Sequence, residues 1–248
     1  MNRTSISDLK SKAKDQLLGN YKIATGTFAL LFVLLYAIMS IVVSAFSAFR
    51  TMPEAVLQLL SVIVASVSTV FTVGYIYILK KIKDGDRPVV ADLLYAFHNH
   101  PDKILIISLI LGACRYILLL PSTFIQKSVF TEGDPTAVNG KAFLIWVLAY
   151  LAGTIISIVI EFMLAMCYMI YLDDPEIPVL SCMSESVSMM KGNKFRYFYM
   201  ILSFIGYWLL VILSVGIGAL FVAPFQMMTM LEFYDDLKGD EVVYERGI

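Results

Sequence analysis

Two charged residues stand inside otherwise apolar sequence and are the side chains best placed to do chemistry: Arg115, within the run Ile104 to Gln126, and Glu161, within Ala142 to Leu172. A charge at the centre of a bilayer costs at least about 2.5–3.5 kcal/mol on insertion scales, so each must face protein or water and find a partner. Arg115 lies 11 residues past Ile104 and Glu161 lies 11 residues before Leu172, which puts both about 16 Å from one membrane edge and makes them each other's expected partner. A buried ion pair of this kind would either line a substrate or proton path or lock the register of two helices. No other intramembrane carboxylate or histidine accompanies them to build a relay.

The remaining reactive types are poorly arranged for catalysis. His98 and His100 form an H-x-H pair, two ligands where zinc wants three or four, and are read as the polar end of a helix before Pro101. Asp173-Asp174-Pro175 reads as a helix stop at the membrane surface, with a cation site as the alternative. Cys114, Cys167 and Cys182 are odd in number and lack metal-type spacing, so they read as small apolar residues. The sequence contains no H-E-x-x-H, G-x-S-x-G, P-loop or G-x-G-x-x-G motif. The expectation is therefore a protein that is not an enzyme, with no catalytic residue, metal or cofactor.

The elements that must position Arg115 and Glu161 follow from composition. Of 248 residues 59% are hydrophobic and 16% charged, with mean hydropathy +0.78, far from the roughly 45–50% and about 25% of soluble domains. The apolar runs are 23–49, 55–79, 104–126 and 142–172, followed by the 35 uncharged residues from Tyr197 to Leu231. As one helix that last run would be about 52 Å long against a hydrocarbon core of about 30 Å, so it is expected to fold into two spans, 197–214 and 218–234, turning at Ser214-Val215-Gly216-Ile217-Gly218. Pro224 would then kink or shorten the second leg. The first run is too long for a signal-peptide core. The fold class is all-α, a single integral membrane domain over 1–248, built as a polytopic bundle of six spans. A short loop from Lys127 to Lys141 joins two of them on the outside.

Counting six spans, one side receives 15 basic residues (Arg3, Lys10, Lys12, Lys14, Lys22, Lys80, Lys81, Lys83, Arg87, Lys103, Lys191, Lys194, Arg196, Lys238, Arg246) and the other only Arg50, Lys127 and Lys141. The positive-inside rule places both termini in the cytoplasm. Three connections on that side carry helical periodicity: about 5–18 with Ile6, Leu9, Ala13 and Leu17; a helix from Pro88 with Val90, Leu93, Leu94 and Phe97; and one from Pro178 with Leu180, Met183, Val187 and Met190. These are expected to lie in the membrane interface, with Lys191, Lys194 and Arg196 as candidates for lipid headgroups, or merely to frame the bundle. Ser108 and Gly112 share a face with Arg115, and Gly153, Ser157, Glu161 and Ala165 form a ridge of four-residue spacing, so a close-packing seam is expected. Glu232 reads as a surface residue. No soluble segment is large enough to bind nucleic acid; the expected partners are membrane lipids, with other membrane proteins or a second copy as further candidates.

The stretch Met189-Met190-Lys191-Gly192-Asn193-Lys194-Phe195-Arg196, the run Leu202 to Trp208, Gly216-Ile217-Gly218, Pro224 and Phe233-Tyr234-Asp235-Asp236-Leu237 resemble the C-terminal half of an uncharacterised family. Leu9 to Tyr21, with Gly19-Asn20-Tyr21, is similar too. The family is that of Gram-positive integral membrane proteins catalogued as domain of unknown function 975. The resemblance implies a bacterial plasma-membrane location and a multi-span helical fold, and brings no activity with it. Function is thus expected to be either binding or translocation of a small or amphiphilic molecule, or a scaffold role organising lipids or partner proteins.

Overall fold

The computed structural model describes residues 4–48, 54–126, 128–131 and 134–245; Arg3, Arg50, Lys127, Arg246 and the last residue of the run 23–49 lie outside them. Within the described residues the helices are α1 (Ile6–Leu17), α2 (Tyr21–Ala48), α3 (Glu54–Lys83), α4 (Tyr95–His98), α5 (Pro101–Gln126), α6 (Gly140–Met163), α7 (Cys167–Asp173), α8 (Val179–Met190), α9 (Lys194–Leu202), α10 (Ile205–Leu213) and α11 (Ala219–Glu245), with a 3₁₀ turn at Val90–Leu94 before α4. The chain is an all-α bundle. The connection after α5 also forms a short antiparallel pair, β1 (Phe130–Thr131) with β2 (Asp134–Val138), where the sequence suggested only a loop.

Among the described residues five stretches are long and apolar enough to cross a membrane: Tyr21–Ser44, Leu60–Lys83, Pro101–Gln126, Gly140–Asp173 and Lys194–Leu213. The run 197–231 does break where its glycines predicted. Val215 (φ 55) and Gly216 (φ 89) adopt left-handed backbone, and Ser214 Oγ accepts the Gly218 N–H at 2.8 Å. α11 then folds back along α10, bringing Phe225 against Phe204 and Gln226 Oε1 to the Trp208 indole N–H at 2.8 Å. α11 is not among the five stretches, since Glu232, Asp235, Asp236 and Lys238 interrupt it. It continues through Pro224 rather than stopping there, because a proline in the second turn forgoes only one backbone bond.

Two further breaks carry no glycine or proline. The fourth apolar stretch interrupts its helix at Leu164–Met166, where Ser186 of α8, fully buried, donates to the Met163 carbonyl at 2.9 Å and takes the Met166 N–H at 3.3 Å. One side chain thereby satisfies both groups freed by the break. The fifth interrupts at Ser203–Phe204, and Lys10 Nζ donates to the Ser203 carbonyl at 2.9 Å while lying 4.1 Å over the Phe204 ring. Lys10 is partly buried there, which pulls its ammonium pKa below the usual lysine value.

α3 is the central helix: 44% of its apolar window is buried, against 11–22% for the other four. It approaches the 3₁₀ turn so closely that a Cβ on Gly74 would sit 2.0 Å from the Leu93 carbonyl oxygen. Leu9, Tyr75, Leu79, Tyr171, Met190 and Phe233 are fully buried in one apolar cluster at one end of the bundle. The opposite halves of the helices expose Phe32, Tyr36, Ile117 and Leu148, an apolar surface far larger than soluble monomers tolerate.

The three amphipathic segments form, with altered faces. α1 is capped by Ser5, whose Oγ accepts the Asp8 N–H at 3.2 Å, and its Leu9, Ala13 and Leu17 are buried against protein, chiefly α11, rather than presented to a lipid surface. Pro88 precedes the 3₁₀ turn instead of opening a helix, and of its predicted stripe only Leu93 is buried. α8 does begin after Pro178 and ends at Met190, two residues before the left-handed Gly192 (φ 83), yet Leu180 is 77% exposed and the buried residues are Cys182, Ser186, Met189 and Met190. Its stripe is rotated because α8 serves α7 and the break before it, not a flat membrane surface.

Candidate functional site

The polar side chains gather at the buried end of the bundle, and α11 collects them. Glu232 accepts from Gln16 of α1 at 2.7 Å and is 7% exposed, so it is interior, not a surface residue. Phe233 is fully buried and packs at a tilt against Tyr197 with centroids 5.6 Å apart, while the Arg196 guanidinium lies 4.9 Å over its ring. Tyr234 donates to Asp173 Oδ2 at 2.8 Å, Asp235 pairs with Lys83, and Asp236 pairs with Arg196 at 2.5 Å and accepts from the Thr4 hydroxyl. Leu237 is buried in the core, and Lys238 returns to Asp173 at 2.6 Å. Seven consecutive residues thus tie α1, α3, α7 and α9 to one helix.

Asp173 is the acceptor most heavily used: besides Tyr234 and Lys238 it pairs with Lys80, which also donates to the Leu172 carbonyl at 3.0 Å. Its oxygens are taken by donors of the protein itself, which disfavours the cation-site alternative. His98 and His100 do not converge on a common ligand point. His98 Nδ1 lies 2.9 Å from the Leu94 carbonyl and His100 Nε2 lies 2.8 Å from Glu176, while Lys103 donates to the Pro175 carbonyl at 2.6 Å. Among the described residues no group of three or more His, Cys, Asp or Glu side chains could hold a metal. Cys167 and Cys182, both buried and free, hydrogen-bond to each other's carbonyl oxygens, at 3.8 Å and 3.2 Å. The hydrogen bond with Cys167, then burial, pushes the Cys182 thiol well above its usual pKa, a protonated thiol and a poor nucleophile.

The basic triplet divides. Arg196, whose side chain is 13% exposed, spends its charge on Asp236 and on the Thr4 carbonyl at 2.6 Å, both within the protein. Lys191 is exposed at the C-cap of α8. Lys194 opens α9 and lies at a lateral groove of about 400 Å³ between α6 and α9, whose other walls are Ile155, Ile158, Val159, Phe162, Phe195 and Phe198. No carboxylate lies within ion-pair distance of Lys194 among the described residues. Phe195 is 88% exposed at the groove edge, although aromatic residues of that size are usually covered in folded chains.

Arg115 and Glu161 do meet, Nη1 to Oε1 at 3.3 Å across the α5 and α6 seam, but they are not buried within the protein. Their side chains are 59% and 44% exposed, since both helices turn that flank outward. Leu111, Cys114, Leu118, Ser157 and Ile160 line the shallow crevice beneath the pair. The small residues of the seam are not all spent between α5 and α6. A Cβ on Gly153 would meet the Leu118 carbonyl oxygen at 2.6 Å, so Gly153 sets the approach of α6 to α5. Gly112 instead faces α3, where its Cβ would lie 3.0 Å from Val62. Ser157 is buried and donates to its own helix at Thr154, Ser108 does the same at Leu105, and Ala165 falls in the break after α6, which interrupts the expected ridge.

The sequence pointed to Arg115, Glu161 and Lys194 but missed the cluster on α11. Its signal was there: Glu232, Asp235 and Asp236 follow a long uncharged run directly, on the side to which the charge count assigns Lys80, Lys83 and Arg196. A family model described as "Protein of unknown function (DUF975)" matches residues 1–241. No curated protein and no solved structure matches the chain.

Proposed function

Because the chain belongs to this family of proteins of unknown function over residues 1–241, and membership supplies no activity, we propose from the geometry that it binds an amphiphilic molecule from the bilayer in the groove between α6 and α9. In this reading it is a multi-pass protein of the bacterial cytoplasmic membrane with six crossings and both termini in the cytoplasm. The basic count of 15 against 3 supports the orientation. The return of α11 along α10 supports the sixth crossing, since it carries residues 232–238 back to Lys83, Asp173 and Arg196.

One observation carries the proposal. The groove is apolar along α6 and α9 and ends at a lysine with no acidic partner among the described residues. That is the shape and charge order of a chain with an anionic or polar head: apolar walls take the tail, and a cation whose stem lies along them takes the head. Arg115 and Glu161 lie on an outward-facing flank and, among the described residues, line no enclosed path through the bundle, which favours binding over passage along that pair. Full-length protein transferred directly from membranes into nanodiscs and weighed by native mass spectrometry is expected to retain an adduct. Val159→Trp, which fills the groove from an exposed position, should lose it without lowering thermal stability. Detection of the bare chain alone, or an adduct that survives Val159→Trp, would refute the proposal.

A further inference from the structure

Arg115 and Glu161 are paired and yet open. Arg115 is the fifteenth of the 26 residues of α5, and Glu161 the twenty-second of the 34 residues from Gly140 to Asp173, so both stand well inside their stretches. At that depth hydrocarbon offers no hydrogen bond and lipid headgroups do not reach. The single contact at 3.3 Å leaves most of the five guanidinium donors of Arg115 and the second oxygen of Glu161 unused. Their side chains are 59% and 44% exposed on the outer face of the helices. Something must therefore cover this flank from outside.

We propose that the cover is a second copy of this chain, joined about a two-fold axis that passes beside the pair. A face carrying one cation and one anion is complementary to itself: rotation by half a turn brings Arg115 of each copy to Glu161 of the other and closes a ring of four charges. Two-fold association is the commonest closed symmetry, and its interface uses the same patch twice. Cys114, half-buried in the same pocket on α5, then lies diagonally across the axis from its own counterpart, one helix width away.

Two differently tagged full-length copies are expressed in one cell and extracted with their native lipid into polymer discs, and the fraction of the second tag recovered with the first is measured. Wild-type copies are expected to co-purify. Arg115→Glu gives a face with two anions and Glu161→Arg a face with two cations. Each should fall to background with itself and recover when one is expressed with the other, which an ion pair confined within one chain does not predict. Separate tags for wild-type copies, self-association of either reversed variant at the wild-type level, or recovery of a different protein in place of the second copy would overturn the proposal. Should a reversed variant fail to fold, cross-linking of the wild-type protein in membranes with a bismaleimide long enough to span two packed helices decides alone. A dimer band that vanishes in Cys114→Ser is expected, and no such band overturns the assignment.

Discussion

Arg196→Ala removes the cation that joins α9 to α11 and to the residues before α1. Asp236 is left with its charge 85% withdrawn from solvent and only the Thr4 hydroxyl as a donor. Breaking a buried ion pair by deleting one member costs about 3–5 kcal/mol, because the survivor stays desolvated. The lower end applies here: Arg196 Nη1 has no partner, and the contact with Asp236 is a close charge pair rather than an aligned hydrogen bond. The guanidinium over Phe233 adds about 1 kcal/mol at most. At about 2–4 °C per kcal/mol for a chain of this length, a loss near 3 kcal/mol lowers the unfolding midpoint by roughly 6–12 °C. The assay is thermal unfolding of purified protein in a single detergent, followed by far-ultraviolet circular dichroism. Asp236→Asn should cost less, and Arg196→Met with Asp236→Leu should recover most of the loss, since a packed apolar pair replaces two buried charges. An Arg196→Ala midpoint within about 2 °C of wild type, or losses from Arg196→Ala and Asp236→Asn that simply add, would refute this account of the hub.

Gly153→Ala places a Cβ 2.6 Å from the Leu118 carbonyl, so α6 must move off α5, with an expected loss of about 1–3 kcal/mol read in the same unfolding assay. Gly206→Ala, open on all sides, should be neutral or slightly stabilising. Ser186→Ala orphans the Met166 N–H and the Met163 carbonyl, for about 1–3 kcal/mol, and should speed hydrogen exchange at the Met166 amide while leaving α5 amides protected. Glu161→Gln alone should lower stability, and adding Arg115→Gln should return part of it; additive losses would mean that the contact at 3.3 Å contributes nothing.

The order and placement of the apolar helices could be read from hydropathy alone, and the turn at 214–218 from its glycines, because both signals are local. The breaks at 164–166 and 203–204 could not, since they rest on Ser186 and Lys10, which arrive from elsewhere in the chain to take the freed backbone groups. The faces of α8 and of the 3₁₀ segment misled for a related reason. Periodicity reports that a stripe exists, while the neighbour that buries it is fixed by tertiary packing. The α11 cluster joins residues such as Thr4 and Asp236, or Lys80 and Asp173, that lie far apart in sequence. Arg115 and Glu161 meet because rise per residue sets them at one depth, but rise carries no rotation, and it is rotation that turns the pair outward.

The central claim is that the flank between α6 and α9 holds an amphiphile through Lys194 and the apolar walls beneath it. The most direct measurement uses an anionic phospholipid with a photoreactive group on one acyl chain, reconstituted with the full-length protein, irradiated and mapped by peptide mass spectrometry. Adducts are expected to concentrate at Ile155, Val159, Phe162 and Phe198, and to fall to the level of other outward faces in Lys194→Glu. Adducts spread over Phe32, Tyr36 and Leu148 in proportion to their exposure, unchanged in Lys194→Glu, would contradict it.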